Sequence, residues 1–277
     1  MIFCRHTPGP PLAAFIDWIW YYEGLYPDHS KEHVLPDGTF ELVINLRDEA
    51  RKLFNRGDGA RYDSFRRGWI SGTHSEYIVI DALANSSMIG AHFKPGGIAP
   101  FLGVPADEMR DRVVELDAFW GIGAWCLRDQ LLAARGPQLK FRILEQFLRQ
   151  RLVHSSLPTQ GSPRVNCAVD RFLRQPDQIT VSVVAEEFGI SHKHFIEEFR
   201  RQVGLTPKLF CRIRRFQEVL VRIAARERVE WADVACSCGY YDQAHFVHDF
   251  QGFSGLNPTA FLSRQVGDPQ FVPVEDK

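Results

Sequence analysis

The chain has 277 residues, room for two domains with sizeable cores. Its 45% apolar and 24% charged content is that of an ordinary globular protein, and no run approaches the roughly eighteen uninterrupted apolar residues of a membrane span. With 33 Lys and Arg against 34 Asp and Glu the formal net charge is −1, so bulk charge gives no sign of nucleic-acid binding and any such role must rest on local placement.

The first residues, Met1 to Pro11, lack the long apolar stretch of a secretion signal. The six cysteines (4, 126, 167, 211, 236, 238) are scattered without a CxxC pair, which fits reduced thiols and a cytoplasmic protein. Residues 12–110 read mostly as strands. Phe40–Leu46, Tyr77–Ile80 and Ser87–Phe93 are short apolar runs rich in β-branched residues and bounded by turn formers, the pattern of a sandwich or small barrel. The stretch Arg51–Arg67 between them is polar and basic and reads as a long loop.

From Leu116 the period becomes helical. Trp120–Ala134 and, after Gly136-Pro137, Phe141–Leu152 carry apolar residues at helical spacing. The polar segment HSSLPTQGSP (154–163) reads as a linker. The expected division is therefore 1–155 for a β-rich domain with a helical segment 120–152, a linker 156–163, a helical domain 164–266 and a tail 267–277.

Within the helical domain one pattern occurs twice. Val184, Ala185, Gly189, Phe195, Phe199, Gly204, Leu205, Pro207 and Phe210 recur as Val234, Ala235, Gly239, Phe246, Phe250, Gly255, Leu256, Pro258 and Phe261. Each copy reads as a helix, a tight turn at Gly, a second helix with aromatics four apart and a stop at Gly, the punctuation of a helix-turn-helix. Thr180 and Ser191 are expected N-caps in the first copy. Pro207 opens a long helix to about Ala225 that fixes the spacing of the two units. The exposed N-terminal positions of each second helix are the candidates for reading base edges: His192, Lys193, Ile196 and Glu197 in the first, Asp242, Gln243, Ala244, Val247 and His248 in the second. Gln243 suits a bidentate contact to adenine, and Ala244 and Val247 suit a thymine methyl. Phosphate anchoring is expected from Arg200, Arg201, Arg212, Arg214 and Arg215. Residues 164–264 hold 14 Lys and Arg against 12 Asp and Glu, a surplus of 2.

Residues 165–264, with GLTPKLFCRIRRFQ after the first unit and GYYDQAHFVHDFQGFSGLNPTAF in the second, resemble the C-terminal DNA-binding domain of the AraC/XylS family of bacterial transcription regulators. The resemblance implies a seven-helix domain whose two recognition helices enter successive major-groove segments of double-stranded DNA. Family members often carry a basic residue where this chain has Glu197 and His248, which shifts the expected weight of base reading to the second unit. Leu35-Pro36-Asp37-Gly38, Phe40–Leu46, His92–Gly97 and Phe101–Pro105 resemble a cupin-like N-terminal domain of uncertain function found on some members of that family. In the wider family such a domain binds a small effector and dimerises, which implies a homodimer through 120–152, with RNA polymerase as a further partner.

The effector itself is not identified. An anionic ligand suits Arg51, Arg56, Arg61, Arg66 and Arg67, and an aromatic or apolar one suits Trp18, Trp20 and Trp69. A metal-dependent cupin enzyme or metal sensor is the alternative, drawing on His29, His33, His74 and His92 with Glu32, Glu41 and Glu76, but no H-x-H pair aims two imidazoles at one ion. GxSxG, P-loop and HExxH motifs are absent, so no catalytic residue, metal or cofactor is expected. The expected fold class is α+β in two domains: an N-terminal mainly β sandwich or barrel with flanking helices, and a C-terminal all-α domain with two helix-turn-helix units.

Overall fold

A computed structural model describes residues 1–154, 161–176, 180–224, 229–265 and 267–274. The N-terminal part is antiparallel throughout, with strands β1 (Ile2–His6), β2 (Ile16–Leu25), β3 (Lys31–Val34), β4 (Glu41–Asn45), β5 (Arg51–Phe54), β6 (Tyr62–Phe65), β7 (Gly68–Ser71), β8 (Ile78–Asp81) and β9 (Ser86–Phe93). Then come helix α1 (Ala99–Leu102), strand β10 (Val113–Glu115), and helices α2 (Asp117–Trp120), α3 (Ile122–Ala133) and α4 (Pro137–Val153). One sheet has the order β1-β2-β9-β4-β7-β10, the other β11-β3-β8-β5-β6, where β11 is Phe271–Val274.

Alternation decides which face of the six-stranded sheet is dry. Ile19 and Tyr21 on β2, Leu42 and Ile44 on β4, and Ile89, Ala91 and Phe93 on β9 are buried against Leu127, Leu131, Phe141, Leu144 and Leu148 of α3 and α4. The residues between them (Trp18, Trp20, Glu41, His92) look the other way, and Tyr22 on that face reaches Arg51 of the five-stranded sheet. Aliphatic and aromatic burial on the helix side supplies the driving force, about 25 cal/mol per Å² of apolar surface.

Arg51–Arg67 is not one long loop. Its two ends pair as the hairpin β5–β6, and only Asn55–Arg61 turns between them. Sequence polarity misleads here because the charges are used within the five-stranded sheet. Arg51 is buried in an ion pair with Asp81 (Nε–Oδ1 2.8 Å), Lys52 lies 4.4 Å over the Tyr62 ring, and Lys31 lies 4.0 Å over Phe54.

The C-terminal part is helical: α5 (Pro163–Arg174), α6 (Val181–Glu187), α7 (His192–Val203), α8 (Pro207–Ala224), α9 (Trp231–Ser237), α10 (Gln243–Ser254) and α11 (Pro258–Arg264). Phe195, Phe199, Phe210, Phe216, Phe246, Phe250 and Phe261 are fully buried at its centre. Leu35 from the N-terminal part and Val272 belong to the same core. The segment 267–277, expected as a tail, therefore needs correction over its described part. Phe271–Val274 is a strand that pairs with β3, and Val272 is wholly buried. Four residues at a chain end carry too little periodicity to announce a strand. Most of the expected linker, 156–160, lies outside the described residues. Its end does not: Ser162 caps α5, and its N–H donates to Gln202 Oε1 on α7 at 2.7 Å.

Candidate nucleic-acid interface

Each helix-turn-helix unit is built by local chemistry. In the first, Thr180 Oγ1 accepts the Val183 N–H (3.5 Å) to start α6, and Val184 and Ala185 are buried. Gly189 turns the chain at φ +64°, where a side chain would be strained. Ser191 Oγ then accepts the His194 N–H (3.2 Å) to start α7. In the second, α9 leads to Gly239, and Asp242 Oδ1 accepts the His245 N–H (2.7 Å) to start α10. Phe195 and Phe199, packed with tilted rings, and their counterparts Phe246 and Phe250, packed edge-to-face, fix the inner faces, and α8 runs between the units.

That packing turns the N-terminal positions outward. His192, Lys193 and Glu197 are exposed, as are Asp242, Gln243, Ala244 and His248. Ile196 and Val247 are half-buried, and Val247 packs on the core. Asp242 is a correction in kind, because one of its carboxylate oxygens is already engaged as the helix cap. Lys193 is paired with Glu197 one turn on (3.9 Å), so the two charges largely offset each other. A groove of about 560 Å³ between α10 and α11 is lined by Trp231, Gln243, Phe246, Val247, Asn257 and Thr259.

The phosphate-anchoring arginines need more correction. Arg212 holds the buried carboxylate of Asp249 at 2.6 Å. Arg214 donates to the Asp37 carbonyl at 3.1 Å, and Arg215 donates to the Gly239 carbonyl at 3.2 Å while lying over the Tyr240 ring. Arg200 is paired with Asp107 of the N-terminal part at 3.4 Å. Only Arg201 of the five is exposed with no ion pair among the described residues. These partners lie up to 177 residues away in sequence, so the helical pattern alone could not reveal them.

The effector candidates fall into separate places. Trp18 stacks on His92 (centroids 4.1 Å apart, 5° between planes), the Arg5 guanidinium lies 4.4 Å over the Trp18 ring, and the Trp20 indole N–H donates to Glu41. His92 Nδ1 is 2.6 Å from Glu41, and its Nε2 is 3.6 Å from Asp37. Burial works against its charged form, but Glu41, Asp37 and Asp17 outweigh burial and raise its pKa to about 9. This cluster of Trp18, His92, Glu41 and Asp37 was missed as a unit, because its members come from three strands and a loop. Trp69 packs on Phe65. Arg51 is committed to Asp81, Arg56 to Glu76, and Arg61 to Asp58. Arg66 and Arg67 instead line a pocket of about 250 Å³ with Glu115, Asp117 and Trp125, where Arg67 lies 4.2 Å over the indole.

The other histidines weighed as metal ligands are spread out. His29 meets Asp28 and Glu32, His33 stacks on Tyr77 and lies 2.9 Å from the Ser254 carbonyl, and His74 meets Ser71. Burial pushes His74 down to about 4. Among the described residues no three His, Cys, Asp or Glu side chains are placed to hold one metal ion. Among the same residues no helix is long and apolar enough to cross a membrane.

Comparison with known proteins bears on both parts. Residues 4–115 match a domain of unknown function, DUF6597, and residues 184–264 match a family described as a helix-turn-helix domain. An uncharacterized HTH-type transcriptional regulator of Haemophilus influenzae is 26% identical over 121 residues, 43% of this chain and 40% of that protein. The chain thus spans about two fifths of the length of the curated relative it matches. Among solved structures, unsaturated fatty acid-bound ToxT of Vibrio cholerae aligns over 94% of each chain at 8% identity with a TM-score of 0.47. The C-terminal domain of AraT, a response regulator of Geobacillus stearothermophilus, aligns over 39% of this chain and 92% of its own at 19% identity with a TM-score of 0.36.

Proposed function

We propose that this protein, which carries an AraC-type helix-turn-helix DNA-binding domain in residues 184–264, is a sequence-specific transcription regulator controlled through its N-terminal domain. The observation that carries this reading is the pair of capped, outward-facing N-terminal turns on α7 and α10, each backed by a buried phenylalanine pair. In this reading α10 reads base edges through Gln243 and Ala244, and α7 meets DNA from its exposed N-terminal turn through Lys193 and Glu197. Arg201 is the arginine that anchors phosphate.

The division of labour follows the expected boundaries, with control in 1–155 and DNA contact in 164–266. An effector in the N-terminal domain acts by changing how that domain holds the helices, since α7, α8 and α10 each touch it through Arg200, Arg214 and Ser254. A homodimer formed through 120–152 joins four units on one DNA and gains avidity. The apolar side chains that α3 leaves in solvent, Ile122 and Trp125 among them, support that surface. RNA polymerase is a partner in the same reading, and the protein acts in the cytoplasm without catalysing a reaction.

The test is binding of the full-length protein to duplex DNA from upstream of its own gene, against a scrambled duplex, over a salt series. Selective binding that weakens steeply with salt is expected. Binding with no preference between the duplexes at any salt concentration overturns the reading.

A further inference from the structure

DNA phosphate calls for cations, and the structure leaves few of them free on the two recognition helices. Arg200 of α7 and Arg212, Arg214 and Arg215 of the neighbouring α8 are all engaged within the protein, which leaves Arg201 on α7. Helix α10, QAHFVHDFQGFS, has no Lys or Arg at all. Across residues 229–265 Arg264 is the single Lys or Arg, against Glu230, Asp233, Asp242 and Asp249. The turns that face outward carry histidines: His192 and His194 on α7, either side of the Glu197-paired Lys193, and His245 and His248 on α10. His194 and His245 hold the same position in the two copies, one residue before Phe195 and Phe246. His248 stands where the first copy has Glu197.

We propose that these four histidines join Arg201 in meeting DNA phosphate from the two recognition helices, so that binding takes up protons and tightens as pH falls. The proposal rests on the DNA-binding reading above and adds the nature of the contact. Histidine is the side chain that changes charge between about pH 5 and 8. A phosphate beside an imidazole favours the charged form, so the complex holds more protons than the free protein. Affinity gained this way is present at low pH and is lost as pH rises.

The groups around the histidines are compatible with that role. His245 Nε2 lies 3.7 Å from Asp249 Oδ2, and His248 Nδ1 lies 3.8 Å from Asp249 Oδ1. Asp249 is itself held by Arg212 of α8. The Tyr240 ring meets His245 edge-on, Arg215 of α8 lies over that ring, and Asp242 caps the His245 N–H. On α7 the charged neighbours are Lys193 paired with Glu197, then Glu198 and Arg201. Of the elements packed on α7, α6 contributes Glu186 and Glu187, the latter held by Arg171 of α5. Alpha helix α8 contributes Lys208, and the turn Ala106–Met109 contributes Glu108 and Asp107, the latter held by Arg200. His192, His194 and His248 are exposed, and His245 is partly so.

The experiment is a titration of the full-length protein with its selected duplex at constant ionic strength, at about pH 6, 7 and 8. The expected result is a Kd that tightens by about tenfold or more from the highest pH to the lowest, with a steeper salt dependence at the lowest. The double variant His245→Gln/His248→Gln is expected to lose about half of that pH dependence. His248→Arg is expected to bind tightly at about pH 8 with a flatter profile. Parent and His192→Gln/His194→Gln/His245→Gln/His248→Gln variant sharing one pH profile would overturn the proposal, provided both retain selective binding. Tight, selective, pH-independent binding by the parent also overturns it while leaving the regulator reading intact. Absence of selective binding at every pH removes that reading as well. Because the variant positions are wholly or partly in solvent, a thermal melt at each pH separates misfolding from a true loss of contact.

Discussion

Gly204 and Gly255 occupy the same place in two copies of one motif, and both rest on one short segment of the β domain. Gly204 ends α7 against Thr73, and Gly255 ends α10 against Tyr77. An ideal Cβ would lie 2.5 Å from Thr73 Oγ1 at the first and 2.6 Å from the Tyr77 ring at the second. Helices α7 and α10 are thus seated by their C-terminal ends on residues 73–77, and their N-terminal ends are left to solvent. A change in how that segment sits would move both helices at once.

Replacing Gly255 with Ala should destabilise the protein by about 1–3 kcal/mol, since φ is +75° and the ring of Tyr77 blocks the new methyl. Gly189→Ala has a comparable φ of +64° but meets nothing within 4 Å, so it should cost only about 1 kcal/mol. Urea unfolding of both variants measures the difference. Equal losses would mean that the seat on Tyr77 contributes nothing.

Gln243→Ala should weaken discrimination by about 1–3 kcal/mol at a single base pair while leaving stability within about 0.5 kcal/mol of the parent. Competition binding across a set of single-base-pair variants of the site reads this directly. An unchanged ranking of sites would remove Gln243 from base reading.

Arg201→Ala and Arg214→Ala should separate phosphate contact from domain contact. The first should reduce the salt slope of DNA binding by about one and affect all sequences alike. The second should lower stability instead, because the guanidinium is the donor to the Asp37 carbonyl across the domain junction. A loss of salt slope in Arg214→Ala with stability unchanged would reverse this assignment.

Asp107→Asn should free Arg200 from its partner at 3.4 Å. An exposed pair of this kind contributes about 0.2–1 kcal/mol, so DNA affinity should rise no more than about fivefold, with a steeper salt slope. Weaker binding in this variant would show that the pair orients α7 for DNA rather than restraining it.

His92 should tie stability to alkaline pH. Its pKa is raised to about 9 in the folded protein, above the ordinary imidazole range. The sign follows: the stabilisation is fully present below about pH 6.5 and is lost as pH climbs toward 9. Up to about 3 kcal/mol is involved, and His92→Gln should remove the dependence in that window. Unfolding free energies of parent and variant from neutral to alkaline pH measure the effect, and parallel curves would rule it out.

The helical half was legible because its inner faces are written in large side chains at helical spacing, twice over, with Gly189 and Gly239 at the turns. The N-terminal strands were legible where β-branched runs are continuous, as in Phe40–Leu46. The use of the arginines was not legible. Arg200 finds Asp107 93 residues away and Arg214 finds Asp37 177 residues away, so an amphipathic pattern reports both as solvent-facing. The hairpin β5–β6 escaped for the related reason that its charges are satisfied across strands.

Strand β11 changes what kind of object the helical domain is. After α11 the chain returns to pair with β3, so the helices form an insertion stapled to the β domain at both ends rather than a pendant on one tether. Closing a chain segment at both ends confines its excursions, and full release of the helices requires four residues of ladder and the buried Val272 to come undone. Small rotations about the seat remain open to such an insertion, while wide swings do not. A label or fusion attached beyond residue 274 would therefore report on, and load, the β domain.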